Sequence, residues 1–313
     1  MNNFNFFFPC KKNNSPSKTQ RFGRSVNILK LITYHLSLIT LISSCYTPTN
    51  GCLNIDATNY NASSDEPCDD CCTFPNLNLK ITHSITTQGT FGQDSIINHS
   101  ADSTFSNGAN KFQIKGMEFY LSDFQLVMSD GSIAEVEDKT TFMIYEDAIS
   151  QTSKDTTIKD DFVLVSRSSF NYRIGEFRKP GSFVALRFTV GIDEKLSSID
   201  ADTLVSSHPL SSENLMHFSS RDSGFVYQEF SLVNDTLTDP TEVYVYQMGK
   251  ETANSIQLIR PFFRELEPGF DVEIPVRVNY TTWLKGINFA DDDMETIKSM
   301  IVSNTAEAFE IGE

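Results

Sequence analysis

The chain has 313 residues, of which 41 are acidic and 25 are basic, and its formal net charge is −16 at pH 7. Nucleic acid and anionic lipid surfaces repel such an acidic protein, which argues against nucleic acid as a partner. The sequence also contains no GxSxG, no HExxH, no phosphate-binding loop and no dinucleotide fingerprint, so we expect a protein that is not an enzyme.

The amino-terminal 44 residues have the composition of an export signal. They contain six basic and no acidic side chains, and positions 26–42 are mostly apolar but too polar for a good membrane helix. The segment closes on ISSC at Cys45, which resembles the bacterial lipobox. We therefore predict a signal peptide over 1–44 and a lipid anchor at Cys45 that attaches the protein to the outer membrane, on its periplasmic or cell-surface face. An ordinary signal peptide cut nearby, or an uncut anchor, is the alternative.

Five cysteines fall between positions 45 and 72, and none follows. If Cys45 carries lipid, Cys52, Cys68, Cys71 and Cys72 remain in an oxidising compartment, where three disulfide pairings are available. A bridge within the adjacent doublet 71–72 would be strained, so we favour Cys52 and Cys68 each paired with one of the doublet. The alternative is a copper or zinc site made by the thiolates of Cys68, Cys71 and Cys72.

Residues 45–76 are rich in oxygen ligands and poor in apolar side chains. The ligands are Asp56, Asn59, Asn61, Asp65, Asp69 and Asp70. We interpret the segment as a disulfide-pinned polar tether, with calcium binding within it as the alternative. After removal of 1–44 the chain keeps 19 basic against 41 acidic residues, a net charge of −22. Residues 77–313 then form one domain, long enough for a substantial core.

From Leu77 onward, apolar residues alternate in short runs bounded by Gly, Asn, Asp, Ser and Pro, which is typical of half-buried strands. The predicted runs are 77–81, 112–126, 142–145, 162–165, 183–190, 225–232, 243–246, 256–259 and 272–280. This pattern predicts an all-β fold, an antiparallel Greek-key-type β-sandwich or barrel.

One short helix is predicted near the carboxyl end. Asp291 or Asp292 is the expected cap, and Met294, Ile297, Met300 and Ile301 recur at helical spacing. We expect this helix to cover one end of the sheet. Trp283, the only tryptophan, precedes it and is expected to anchor the core.

Histidine is scarce after residue 44 and therefore informative. The four positions are His83, His99, His208 and His217. Imidazole is the usual ligand for copper and zinc, and the thioether of Met216 beside His217 suits Cu(I). A surface histidine and a packed methionine are the alternative interpretation.

Three segments resemble the MbnP-like family of bacterial exported proteins. They are FQIKGMEFYLSDFQLVMSDG at 112–131, GSFVALRFTVGID at 181–193 and HPLSSENLMHFSSRDSGF at 208–225, in matching order and spacing. An opening strand that ends in Thr82 and His83 agrees, as does the cysteine-bounded leader. The resemblance covers roughly residues 76–310.

The resemblance implies a β-rich domain associated with copper handling outside the cytoplasm, and the family is named for partners of the copper-chelating peptide methanobactin. Members are often encoded with a di-haem peroxidase-like partner that oxidises a tryptophan to kynurenine at the copper site. Carried over to this sequence, the resemblance implies His83, His208, His217 and Met216 as copper ligands. Phe218 stands where members often have tryptophan, so that oxidation has no substrate at this position.

Two functions from different classes follow. The first is an exported, lipid-anchored copper-binding protein that sequesters copper or hands it on. The second is a metal-free surface module that uses the same β-sandwich to bind a ligand or another molecule through its loops.

Overall fold

A computed structural model describes residues 47–88, 94–98, 104–108, 110–147, 152–193, 196, 198–214, 218–220, 224–234, 242–249 and 256–312. The predicted signal peptide and Cys45 lie outside these ranges. The strands are β1 (Asn50–Gly51), β2 (Glu66–Pro67), β3 (Asn76–Gln88), β4 (Asp94–Asn98), β5 (Phe105–Ser106), β6 (Lys111–Met128), β7 (Ile133–Glu135), β8 (Lys139–Asp147), β9 (Thr152–Lys159), β10 (Val163–Ser166), β11 (Asn171–Glu176), β12 (Gly181–Val190), β13 (Phe218–Ser220), β14 (Gly224–Asn234), β15 (Tyr244–Gly249), β16 (Ile256–Leu266), β17 (Val272–Asn279) and β18 (Phe309–Ile311). The helices are α1 (Tyr280–Trp283) and α2 (Met294–Ala308), and short 3-10 turns span Asp69–Cys71 and Ala201–Thr203.

Two sheets pack face to face. The main sheet follows the order β13-β14-β6-β12-β16, with β5, β7 and β10 also paired to β6 and β15 paired to β14. The second sheet follows β11-β3-β17-β18, with β4 on β3. Apolar side chains from both sheets meet in one core, so the predicted all-β class is confirmed, and of the two predicted architectures the sandwich is the one formed.

The pairing of β3 with β17 departs from the predicted antiparallel arrangement. These two strands run parallel, with Leu77 opposite Val272 and His83 opposite Val278. A parallel pair needs a long crossover between its strands. The whole main sheet lies between β3 and β17 in the sequence, and it supplies that crossover.

A second, smaller core covers the outer face of the main sheet. The hairpin β8–β9 packs there with Tyr120 and Tyr227, together with Leu196, Ile199, Ala201 and Leu210. Strand β14 is therefore covered on both faces, and ten of its eleven residues are buried. The buried residues of β14 include the polar Gln228 and Glu229, so the sequence pattern alone does not reveal this burial.

Helix α2 begins after Asp293, whose carboxylate accepts a hydrogen bond from the backbone N–H of Thr296 at 2.8 Å. The predicted caps, Asp291 and Asp292, were wrong because both carboxylates bond instead to Asn288 in the preceding turn. The indole of Trp283 is fully buried and donates to the last turns of this helix, which confirms its predicted role as a core anchor. Within the part of the chain that the structure describes, neither helix is long and apolar enough to span a membrane.

The cysteine-rich segment packs against the β-domain. Cys52 and Cys72 form a disulfide, as one half of the favoured pairing predicts. The other half, Cys68 with Cys71, is not formed; the thiol of Cys71 instead lies 2.9 Å from the carbonyl oxygen of Cys68. The ring of Phe74 supports the guanidinium of Arg178 at 3.8 Å. Residues 49–313 accordingly form one compact unit.

Candidate functional site

The four predicted copper ligands are only partly within the described residues. His83 lies in the middle of β3, which continues to Gln88 instead of ending at Thr82 and His83 as expected. His208 lies in the turn that follows the 3-10 helix at Ala201–Thr203. Met216 and His217 lie outside the described residues, as does His99. The geometry of the candidate site is therefore that of two imidazoles and their partners.

The His83 side chain points into the sandwich. Leu77, Leu79 and Ile81 precede it at alternate positions and are buried, and His83 continues the same face of β3 with 3% of its surface exposed. Its ring lies parallel to that of Tyr280 and also contacts Phe170. The alternation of the first strand therefore placed a polar ring in a largely apolar environment.

Both nitrogens of His83 have partners. Nε2 lies 3.2 Å from the carbonyl oxygen of Ser169, which can only accept, so Nε2 carries the proton. Nδ1 then accepts from the hydroxyl of Tyr280 at 2.5 Å. Burial lowers the pKa of His83, and the positive charge of Arg167 acts in the same direction, so the ring is held neutral. A neutral imidazole is the form that binds metal.

Tyr280 is placed by the start of α1. The side chain of Asn279 caps this helix by accepting from the backbone N–H groups of Thr281 and Thr282. Tyr280 is fully buried, and burial raises its pKa well above the ordinary value, so its hydroxyl stays protonated. The same hydroxyl lies 4.0 Å from the sulfur of Met117. A thioether thus stands beside the His83–Tyr280 pair.

His208 has a comparable arrangement in the second core. The backbone N–H of Leu210 donates to its Nδ1 at 3.0 Å, so Nε2 carries the proton and lies 3.0 Å from a carboxylate oxygen of Asp160. Its ring packs edge-on against Phe142 and near Phe162.

Asp160 is ionised in this contact. Burial by itself would raise its pKa, but hydrogen bonds from His208 and Thr140 outweigh burial and hold the pKa of Asp160 below its ordinary value. A carboxylate on the far nitrogen of an imidazole is the usual outer partner of a metal-binding histidine, because it orients the ring and raises its basicity.

The two histidines therefore share one arrangement of their ring nitrogens. In His83 and in His208, Nε2–H is held by an oxygen and Nδ1 accepts a bond that a metal would have to replace. The structure does not gather them into a formed metal site: among the described residues, no three His, Cys, Asp or Glu side chains stand together in a position to hold an ion. The cysteine cluster, as far as it is described, forms no such group either.

Sequence reasoning missed the partners of both histidines. Tyr280 is 197 positions from His83, and Asp160 is 48 positions from His208. Neither pair forms a motif, because each depends on which strands the fold places side by side. Met117 was identified only as part of a strand.

Residues 75–301, well over half of the chain, match the protein family MbnP. The chain belongs to the MbnP family. A similar solved structure is MbnP from Methylosinus trichosporium, at 12% identity and a TM-score of 0.42, covering 76% of this chain and 98% of that one. No curated protein matches the chain. The family resemblance read from the three sequence segments is confirmed, and membership suggests a methanobactin-associated protein.

Proposed function

We propose that this MbnP family member is an exported, lipid-anchored copper-binding protein that sequesters copper or hands it on outside the cytoplasm. Copper is its cargo, and the protein is not an enzyme. The proposal includes anchoring through Cys45 at the outer membrane and a di-haem peroxidase-like partner.

The observation that carries the proposal is the state of the two described histidines. Each imidazole has one nitrogen oriented by an oxygen and the other available once a single hydrogen bond is exchanged. This is the preparation that a metal-binding histidine needs. The proposed ligands are Nδ1 of His83, Nδ1 of His208, Met216 and His217, a set of soft and imidazole donors suited to Cu(I). His83 faces the core between the sheets and His208 the second core, so one ion could bind both only after the two are brought together.

The proposal is tested by metal analysis and by titration of the full chain with Cu(I) and Cu(II). Wild type is compared with His83→Ala, His208→Ala and His217→Ala, and His99→Ala is the matched control because it removes a histidine outside the proposed set. We expect one equivalent of copper in wild type and in the control, and substoichiometric copper in the other three. A metal-free wild type, or equal binding in all five proteins, would contradict the proposal.

A metal-free ligand-binding module is the second candidate. It is favoured by the occupied nitrogens of both histidines and by a cleft of about 760 Å³ on the outer face of the main sheet. A cleft of that size suits a small molecule. This candidate predicts that His208→Ala and His217→Ala leave function unchanged.

A further inference from the structure

The cleft on the outer face of the main sheet lies between strands β6 and β12 on one side and the hairpin β8–β9 on the other. Its volume is about 760 Å³, within the range of small-molecule sites. One wall is apolar and is formed by Ile144, Ile158, Phe162 and Leu196. These side chains belong to or border the second core, so the wall is held in place by packing. An apolar ligand body would find a preformed surface here.

The floor of the cleft is a bulge in β6. Asp123 and Phe124 together stand opposite Phe188 of β12, and the pairing register shifts at this point. Asp123 has a φ of 53°, and it is the one non-glycine residue of positive φ in the described chain. Bulges of this kind redirect a side chain, and backbone strain of this kind gathers at functional sites. Here the bulge brings the Asp123 carboxylate to the cleft.

Among the described residues around the cleft, carboxyl groups outnumber ammonium groups. The ammonium of Lys159 lies 3.0 Å from Asp123, 3.4 Å from Glu135 and 3.9 Å from Asp161. One positive charge is thus shared by three carboxyl groups. Asp193 also lines the cleft. An anionic ligand would have to compete for Lys159 against its three partners, whereas a cationic ligand would meet an excess of negative charge.

Asp161 is the buried member of this group of carboxylates. Only 2% of its surface is exposed, and it accepts a hydrogen bond from the backbone N–H of Phe124 at 2.9 Å. Burial raises the pKa of Asp161 although Lys159 lies 3.9 Å away, so a further positive charge at the cleft would favour its ionised form. A second ammonium group at the cleft would supply that charge. The described residues offer no ligand set for a metal ion at this position.

We propose that this cleft binds a small organic cation, in which a protonated amine meets Asp123 and Asp161 while an aliphatic or aromatic body lies against Ile158, Phe162 and Leu196. The described residues that line the cleft include none of the proposed copper ligands. Cation binding in the cleft requires no metal, so its test does not depend on the outcome of the copper experiment.

The test is a calorimetric titration of the metal-free full chain with phenethylamine, which joins an aromatic body to a primary ammonium group. The anion 3-phenylpropionate, of similar size, is titrated in parallel. We expect saturable 1:1 binding of phenethylamine and at least tenfold weaker binding of the anion. No saturable binding of phenethylamine, or equal affinity for the two probes, overturns the proposal.

Three variants locate the site. Asp161→Asn removes the buried charge while its amide oxygen can still accept from Phe124, and we expect phenethylamine binding to weaken at least tenfold. Thr156→Trp fills the cleft from the partly exposed face of β9 and should abolish binding without disturbing either core, so it serves if Asp161→Asn fails to fold. Asp155→Asn makes the same charge change on an exposed neighbour outside the lining and should bind as wild type. Wild-type affinity in Thr156→Trp, or equal losses in the two Asp→Asn variants, overturns the assignment.

Discussion

Removal of one hydroxyl group tests whether Nδ1 of His83 is a copper-binding nitrogen. In Tyr280→Phe the ring that stacks on His83 is kept, and only the O–H that donates to Nδ1 is lost. His83 is 3% exposed, so Nδ1 is left without a donor in a dry environment. A buried acceptor without a partner costs about 1–3 kcal/mol, so the free energy of unfolding of the metal-free variant should fall by that amount in a urea titration.

Copper affinity, in contrast to stability, should rise in Tyr280→Phe. In wild type, copper must first displace the Tyr280 hydroxyl from Nδ1, which costs about 1–2 kcal/mol. That cost is absent in Tyr280→Phe, so we expect copper to bind about tenfold more tightly in competition with a chromophoric Cu(I) chelator. Tyr145→Phe is the control, because its hydroxyl bonds to Asp200 rather than to a histidine. Lower stability with unchanged or weaker copper binding in Tyr280→Phe would refute Nδ1 of His83 as a ligand.

Three further predictions follow from the same structure. Asp160→Asn removes the charge that orients His208, and copper affinity should fall about 10- to 100-fold in the chelator assay; an unchanged affinity would separate His208 from copper. Cys52→Ser removes the disulfide to Cys72, whose sequence separation is 20, and should lower the free energy of unfolding by about 3 kcal/mol. Residues 49–74 should then become accessible to limited proteolysis, and a wild-type digestion pattern would contradict this prediction. The pKa of His83 in the folded state lies below the unfolded value of 6.5, so the folded state binds fewer protons. The contribution of His83 to stability is therefore complete above about pH 6.5 and is lost as pH falls. Denaturation midpoints measured between pH 7 and 5 should fall less steeply in His83→Gln than in wild type.

The pattern of residues in the sequence was sufficient to predict the strands and the family. Alternation from Leu77 placed His83 on the inward face of β3 as soon as that strand formed, because successive side chains point to opposite faces. The run at 225–232 was predicted as a half-buried strand and became β14, but its burial on both faces was not predicted. The helix near the end was predicted at the right place, but its cap was missed because three consecutive aspartates precede it and only their contacts with Asn288 distinguish them.

The sequence by itself determined the all-β class and the core role of Trp283, since both depend on residues close together in the chain. The order and spacing of three segments along the chain were enough to identify the MbnP family. The tertiary structure alone decided the parallel pairing of β3 with β17, the contact of Tyr280 with His83 and the cleft that joins Asp123 to Asp161. These features depend on contacts between residues that are distant in sequence, and the cleft also depends on the bulge that redirects the side chain of Asp123. Periodicity records which face a side chain occupies, but it carries no information about which strand lies beside it.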